Sequence, residues 1–576
     1  MTNAEIAEVF EQLADLLEIQ NANPFRVRAY RGAARTLESL TEPLADWIAA
    51  GDRPLTDIPG IGLDLADKIN TLVETGQLPL LDELKAQVPA GVLSLLLIPG
   101  LGPKKASVLF HQLGIQDLEQ LRAACLAGQV AKIKGFGQKT QESILRGIDL
   151  AKSANVRLYW SKANELAEAL REHMRGCPQI EQLELAGSYR RGKETVGDLD
   201  LLVVSPAVSA VMDHFGRFPT ATEQIARGDT KMSLRTEAGF QIDLRVVPRE
   251  SFGAALQYFT GSKEHNVLLR GRAKQLGLKI NEYGVFRVTG DHEQYVAGAT
   301  ERDVYAAVGL PDFPPELREG RHEFAWAEAN ELPELIVEAD IQGDLHMHTT
   351  ETDGRATLEE MVAAARARGL HYIAITDHSQ RVTMARGLDA QRLLAQWKSI
   401  DKLNQRLAGE FLVLKGIECD ILEEGGMDLP DDVLAEADWV LASVHYGQQQ
   451  SRAQITERIL GAIENPYVCA IAHPTGRVIN RRASYEVDLE AVYAAARRQR
   501  KLLELNASSQ RLDLDDLHCA AAKERGVPIV INTDAHSVAG LDSLRYGILQ
   551  ARRGGLTKAD VANARSWSEL KKLLGR

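Results

Sequence analysis

The chain has 576 residues, of which 45% are hydrophobic and 26% charged, and its formal net charge is −13. That length exceeds one core and predicts about three to five units, while the composition excludes a disordered or fibrous chain. No apolar run reaches the roughly 18 residues of a membrane span, which excludes a transmembrane helix. The start, Met1 to Gln20, is acidic and helical in pattern and has no signal-peptide character. Cys125, Cys177, Cys419, Cys469 and Cys519 form no CxxC pair and read as free thiols, so a cytoplasmic protein is expected. The acidic balance argues against nucleic-acid binding only if it is read globally; the local clusters of basic residues decide.

Residues 1–85 read as helices. Ile6, Ala7, Phe10, Leu13, Leu16 and Leu17 share one amphipathic face. Asn23-Pro24 starts a second segment, Phe25 to Leu40, in which Arg26, Arg28, Arg31 and Arg35 form a basic patch. A short repeat follows: Ile58-Pro59-Gly60-Ile61-Gly62, Ile98-Pro99-Gly100-Leu101-Gly102 and Ile133-Lys134-Gly135-Phe136-Gly137. Each copy precedes a helical stretch with lysine: Lys68, then Lys104 and Lys105, then Lys139. Two glycines around one apolar residue permit a turn with positive φ, and the amides of the next helix can then face a phosphate. This is the helix-hairpin-helix pattern of sequence-independent DNA binding. It makes Gly60, Gly62, Gly100, Gly102, Lys104, Gly135 and Gly137 candidate backbone contacts.

Residues 155–250 read as an α+β unit. A helix from Ser161 to Met174 leads to Leu183–Gly187, then to strands Asp198–Val204 and Gly239–Val247. Gly187-Ser188-Tyr189-Arg190-Arg191-Gly192 precedes Gly197-Asp198-Leu199-Asp200. Strand alternation projects Asp198 and Asp200 together. Ile242, Leu244 and Val246 claim the buried face of their strand and turn Asp243 to the other. Three convergent carboxylates can hold two Mg²⁺ ions, one for a primer 3′-hydroxyl and one for a triphosphate. The Gly187-Ser188 turn can meet phosphate oxygens, and Arg191 can neutralise triphosphate charge. A small sheet is expected around Leu278 to Val288. Pro311, Pro314 and Pro315 mark a boundary, and Glu316 to Asp340 reads as an acidic connector.

From residue 341, short apolar strands ending at Leu345, Thr376, Ile417, Val444, Ile471, Leu505 and Thr533 alternate with helical stretches, which predicts a closed, TIM-like barrel. His346, His348, Asp353, His378, Glu418, His445, His473, Asp534 and His536 all lie at or just beyond the C-terminal strand ends, where barrels place chemistry. Imidazole with carboxylate suits Zn²⁺, Mn²⁺ or Fe²⁺, and six histidines with three acids exceed the needs of one ion. A cluster of two or three ions, with a bridging carboxylate such as Glu418, is expected. Arg386, Arg477 and Lys415 are candidates for substrate phosphate; His371 and His518 read as structural.

The N-terminal half resembles the family X DNA polymerases, the group that includes DNA polymerase beta. The resemblance rests on Arg28-Ala29-Tyr30-Arg31, the Gly187–Asp200 motif, Tyr258-Phe259-Thr260-Gly261-Ser262 and Asn281-Glu282-Tyr283. It implies an N-terminal lyase-like DNA-binding domain (1–85), helix-hairpin-helix fingers (86–153), a nucleotidyltransferase palm (154–250), a thumb (251–318) and a linker (319–340). It implies catalysis by Asp198, Asp200 and Asp243 with Mg²⁺ or Mn²⁺. Nucleotide contacts would come from Gly187, Ser188, Arg191, Gly197, Tyr258, Phe259, Gly261 and Asn266, and a template contact from Arg270. Lys68 occupies the place of the family's lyase nucleophile. Asp64 and Gly32 stand where the animal enzyme has phosphate-binding lysines. Lys263 and His265 replace an acid and an aromatic, and Gln241 replaces a basic residue beside the third aspartate.

The C-terminal set resembles the PHP (polymerase and histidinol phosphatase) family, with Asp353 in place of a histidine. It implies a metallo-phosphoesterase domain over 341–576, a distorted TIM-like (β/α)7 barrel. One ion would be held by His346, His348, Glu418 and Asp534, a second by Glu418, His445 and His473, and a third by Asp353, His378 and His536. Together the two resemblances imply a monomeric bacterial repair polymerase. It would fill short gaps in primed DNA from deoxynucleoside triphosphates, and its barrel would act as a metal-dependent 3′→5′ exonuclease or phosphoesterase. The alternatives for the barrel are a small-molecule phosphatase and a structural metal module.

Overall fold

The computed structural model describes residues 3–39, 44, 47–48, 53–58, 60–98, 101–154, 157–290 and 292–576. The first 154 residues are helical, as the periodicity predicts. Ile6, Phe10, Leu13 and Leu17 of helix Asn3–Ile19 are buried together with Leu65, Leu101, Leu109, Phe136 and Ile148. One apolar core therefore runs through both expected helical units, and residue 85 is not a core boundary. Ser107 Oγ crosses that line to donate to the Ile19 carbonyl at 2.6 Å.

The three repeats fold alike. A 3-10 turn (Leu55–Asp57, Leu95–Leu97, Val130–Lys132) enters each, and a 3.0 Å amide bond closes it: Ile61 to Ile58, Leu101 to Ile98, Phe136 to Ile133. The apolar residue between the glycines is buried in every copy and anchors the hairpin to the core. Gly60 and Gly135 have φ of +84° and +93°, as the turn requires. The second glycine is left-handed only at Gly137 (+64°). Gly62 and Gly102 instead cap helices Leu63–Thr75 and Pro103–Leu113 in extended backbone, so the expected positive φ does not apply to them. Gly100 lies outside the described residues.

A five-stranded sheet follows, in the order Gln182–Leu185, Asp198–Val204, Gln241–Val247, Lys231–Thr236, Ala221–Arg227. Leu199, Leu201, Val203, Ile242, Leu244 and Val246 line its buried face. The last two strands lack an apolar signal because Ala221–Arg227 is a mostly exposed edge. The next unit packs helices Phe252–Thr260, Lys263–Gln275 and Glu301–Ala307 on an antiparallel sheet of Leu278–Asn281, Gly284–Thr289 and His292–Ala297.

The acidic segment from Glu316 to Asp340 is partly packed into the fold. Glu316, Glu319 and Glu323 are buried. Each acid has a cationic or polar partner from elsewhere: Arg552 at 2.7 Å, Arg553 at 2.8 Å and His265 Nδ1 at 2.9 Å. These three acids mark buried ion pairing and hydrogen bonding, whereas Glu328, Glu331, Glu334 and Glu338 of the same segment are exposed.

The C-terminal unit has seven parallel strands in sequential order: Gly343–Asp344, Tyr372–Ile375, Leu412–Asp420, Trp439–Ser443, Ala470–Ile471, Leu502–Asn506 and Ile529–Asn532. The first and last edges meet at a parallel bridge between Met347 and Ala535, where the His348 amide donates to the Ala535 carbonyl at 2.9 Å. Leu345, Tyr372, Leu414, Leu441 and Val530 form an inner apolar layer, and Leu570 of helix Trp567–Leu574 packs into it. The C-terminal strand ends are left for polar residues.

Candidate functional sites

In the five-stranded sheet, Asp200 and Asp243 are register partners on adjacent parallel strands, and Asp198 lies two residues before Asp200 on the same face. Burial, followed by its two neighbouring acids, pushes Asp200 up to about 7; burial and then Asp243 raise Asp198. Three carboxylates converging on one face offer the oxygen donors of a divalent site. Asp243 accepts from Lys231 Nζ at 3.0 Å and from Gln241 Nε2 at 2.9 Å. The cation that Gln241 does not supply thus comes from the neighbouring strand, a residue that the sequence reading missed because its strand is weakly patterned.

Gly187 has φ of +67°, and a Cβ there would meet Asp200 Oδ2 at 2.7 Å. The turn can therefore approach the acids only as glycine. It opens the short helix Gly187–Arg190, which carries Ser188. Arg191, just beyond, donates through Nε to Glu319 at 3.0 Å and through Nη1 to the Thr260 carbonyl. Gly261 abuts it: a Cβ on Gly261 would lie 3.3 Å from Arg191 Nη1. Gly197 is likewise backed by Arg157, 3.1 Å from its ideal Cβ. Tyr258 and Phe259 meet edge to face at 5.1 Å, with the Arg245 guanidinium over the Phe259 ring at 4.3 Å. The Asn266 side chain is committed to Gln257 (2.6 Å) and the Tyr258 carbonyl (2.8 Å), and exposed Arg270 donates to the Asn266 carbonyl. His265 fills its aromatic slot: it packs on Tyr305, Phe313 and Phe324 and bonds Glu323 and the Tyr305 hydroxyl. Lys68 pairs with Asp64 one helical turn away, and Lys104 is exposed in the first turn after its hairpin.

At the barrel mouth all nine expected residues converge. Three sets have ligand atoms within 4.8 Å of one another: His346, His348 and Asp534; His378, Glu418 and His445; and His348, Asp353, His378 and His536. His348 and His378 reach beyond the groups expected for them. Glu418 joins the sets, with one oxygen 3.1 Å from His473 Nε2 and the other 2.8 Å from His378 Nδ1. His473 and Asp534 both have left-handed backbone, φ +27° and +54°, a strain found at functional positions.

Beneath this layer lie acids that the sequence reading did not single out. Glu504, wholly buried, faces His346 Nδ1 at 2.7 Å, and Asp420 faces His445 Nδ1 at 3.0 Å. Such carboxylates orient a ligating imidazole. Their only signal is a lone charge within the apolar Leu502–Asn506 run and an acid two residues after Glu418. Asp377 reaches none of the three sets; it anchors the loop before Asp353 through Thr349 and Thr352.

With Nδ1 held by Glu504, His346 turns Nε2 toward Glu418 and Asp534 oxygens at 3.5 and 3.4 Å. That nitrogen and Glu418 Oε2 are buried without a hydrogen bond. Burial opposes an imidazolium at His346, but Glu504, Asp534 and Glu418 outweigh it and raise its pKa; an ion would take the place of that proton. His348 goes the other way. Burial, then His378 and His536, lower it to about 3 and leave a neutral donor. The donor set fits divalent transition ions. Asp353 and His536 are the open side, each 38% exposed.

The candidate phosphate contacts fare differently. Arg477 is taken by Glu194 at 2.6 Å and the Leu512 carbonyl. Arg386 holds the Thr350 and Thr352 carbonyls. Lys415 lies an odd number of residues from Glu418 on one strand and so faces away from it. His371 is exposed and His518 pairs with Asp515, both outside the cluster.

Models of known families match in chain order: a helix-hairpin-helix domain over residues 1–78, a SAM-like helix-hairpin-helix tandem over 92–149, DNA polymerase beta palm over 158–236, DNA polymerase beta thumb over 255–319 and a PHP domain over 344–508. The "DNA polymerase/3'-5' exonuclease PolX" of Bacillus subtilis (strain 168) is 40% identical over the full length of both chains. DNA polymerase lambda of Rattus norvegicus is 29% identical over 55% of this chain and 56% of its own. A probable phosphatase of Thermoanaerobacter sp. (strain X514) is 32% identical over 38% of this chain and 89% of its own. Carrying both sites in one continuous full-length match, the chain belongs to the family X DNA polymerases with a C-terminal PHP domain.

Proposed function

We propose that this protein is a DNA-directed DNA polymerase that fills short gaps during repair, and that its barrel is a 3′→5′ exonuclease and phosphoesterase acting on the same DNA. One observation carries the reading: a face of three aspartates and a mouth of nine nitrogen and oxygen ligands occur in one chain whose full length matches a polymerase/exonuclease. Asp198, Asp200 and Asp243 hold Mg²⁺ or Mn²⁺. The nine barrel residues would hold two or three Zn²⁺, Mn²⁺ or Fe²⁺ ions, with Glu418 offering an oxygen to more than one set. When bound, these ions supply Lewis acidity to the reacting phosphate and its attacking oxygen.

The chain's own residues do the rest. Gly187 and Ser188 cradle the triphosphate, and Arg191 neutralises it. Tyr258, Phe259 and Gly261 line the sugar, with Asn266 toward the base. Because the Asn266 amide is held by Gln257 and Tyr258, it arrives preorganised. In the barrel Glu504 and Asp420 fix the imidazoles of His346 and His445, and the open Asp353–His536 side admits a DNA end. The hairpins at Gly60–Gly62, Gly100–Gly102 and Gly135–Gly137, with Lys104, grip DNA phosphates. Asp64, paired with Lys68, sets an acid where the 5′-phosphate of an abasic sugar would lie, which favours DNA-backbone contact over lyase chemistry at Lys68. The protein works as a monomer in the cytoplasm, where its five buried free thiols stay reduced.

The test is a labelled, gapped duplex incubated with Mg²⁺ or Mn²⁺. Asp200→Ala is expected to abolish extension and spare degradation, and His346→Ala to do the reverse. Loss of both activities in either variant would sink the two-site reading. Hydrolysis of small phosphate esters, with DNA ends untouched, would favour the phosphatase reading of the barrel.

A further inference from the structure

Arg191 is not held by the palm alone. Its backbone carbonyl accepts from Arg553 Nη1 at 2.9 Å, and Arg553 lies at the end of barrel helix Leu544–Arg553. The same Nη1 donates to Glu319 Oε1 at 2.8 Å, and that oxygen accepts Arg191 Nε at 3.0 Å. Main chain and side chain of Arg191 are thus closed into one ring through a single barrel guanidinium. Arg553 Nη2 is fixed in turn by Asp516 at 2.7 Å, which also takes Arg321 at 3.1 Å, and Lys193 lies 3.4 Å from Glu319. The Arg553 side chain is 1% exposed and that of Glu319 8%. Next to Arg191, Gly192 has Leu549 of the same barrel helix 3.3 Å from its ideal Cβ. The barrel therefore touches the nucleotide-binding turn directly.

The charges do not cancel. Arg191, Lys193, Arg321 and Arg553 face only Glu319 and Asp516 within this network, four cations to two anions. Burial would raise Glu319, yet Arg553, Arg191 and Lys193 hold it down to about 2, so it stays ionised. An arginine just past a four-residue helix has several free torsions of its own. Here Nε and Nη1 are committed to Glu319 and the Thr260 carbonyl, which leaves Nη2 and a surplus of positive charge for an anion.

We propose that Arg553 is a positioning residue for nucleotide incorporation: through Glu319 and the Arg191 carbonyl, the barrel sets the Arg191 guanidinium for the incoming triphosphate. The inference rests on the reading of Arg191 as a triphosphate contact. Preorganised donors need no rearrangement when the substrate arrives, and that is where their contribution lies.

Single-nucleotide gap filling by the full-length protein tests it, with kcat and KM for the deoxynucleoside triphosphate measured alongside gapped-DNA affinity and 3′→5′ degradation. Arg553→Lys keeps the charge but cannot serve Glu319, Asp516 and the Arg191 carbonyl together. It and Glu319→Gln are expected to raise KM by about tenfold or more, as loss of a charged hydrogen bond does, with a smaller change in kcat. DNA affinity and degradation stay at the wild-type level. An unchanged KM in both variants, with degradation intact, overturns the proposal. Should Arg553→Lys lose degradation as well, and so be misfolded, the isosteric Asp516→Asn decides: a raised KM supports the proposal and a wild-type KM overturns it. Arg191→Ala separates the two levels, because a wild-type KM there overturns the triphosphate role of Arg191 itself.

Discussion

Glu504 Oε1 lies 2.7 Å from His346 Nδ1, and its other oxygen accepts the His473 amide at 2.8 Å. One carboxylate below the barrel mouth therefore sets a ring on one strand and a left-handed backbone on another. Glu504→Gln keeps the size and removes the charge. The expected outcome is a fall of about 10–100-fold in metal affinity or nuclease rate, with gap filling unchanged. Metal content after dialysis, measured beside both activities, checks it. Full nuclease activity would remove Glu504 from any orienting role.

Gly187→Ala would force a Cβ to 2.7 Å from Asp200 Oδ2 at a φ of +67°. Where Asp200 acts as proposed, displacing its carboxylate by about 1 Å costs on the order of 10²-fold. Primer extension by this variant should fall by about that factor, while degradation of a 3′ end stays at the wild-type rate. Extension within a few-fold of wild type would mean that the turn can move away from the acids.

His265 sets a pH dependence. Burial lowers its pKa against the opposing pull of Glu323, so the folded protein keeps it neutral. The unfolded imidazole takes a proton below about 6.5. The unfolded chain then binds more protons than the folded one, and stability is lost as pH falls through that range, by up to about 1.4 kcal/mol per pH unit. Glu323 keeps two backbone donors, Gly320 and Arg321, without His265. In thermal melts from pH 8 to 5.5, His265→Phe should therefore gain on the wild type as pH falls. Parallel curves would count against a neutral His265.

The hairpins and Lys68 make separate predictions. Lys104→Ala should weaken binding of gapped DNA similarly across sequences and reduce the salt slope by about 1. Borohydride trapping on an abasic site should yield no adduct at Lys68, because the acid Asp64 paired with it repels the 5′-phosphate of that substrate; an adduct lost in Lys68→Ala would establish the lyase.

Much of this was legible in the sequence because it obeys a short period. Alternation in Asp198–Val204 and Gln241–Val247 placed the three aspartates, and the strand-end rule of barrels brought together nine candidate ligands spread from His346 to His536. Other features depend on packing between distant segments. Glu319 and Glu323 pass as ordinary acids of a connector because nothing local reveals Arg553 or His265. Lys231 sits on a strand whose neighbour is exposed and therefore unpatterned. Glu504 and Asp420 look like stray charges until the histidines above them are in place. The single helical core was hidden for a related reason: the repeats suggest separable hairpins, whereas Ser107 and Ile19 tie them together.

The barrel closes where Met347 meets Ala535, and the candidate ligands that meet there, His348 and Asp534, are 186 positions apart in the chain. During synthesis at about 5–20 residues per second, His348 leaves the ribosome roughly ten to forty seconds before its partner exists. The palm is by then already made. A nascent chain thus has its three palm aspartates in place well before the candidate metal cluster of the barrel can assemble.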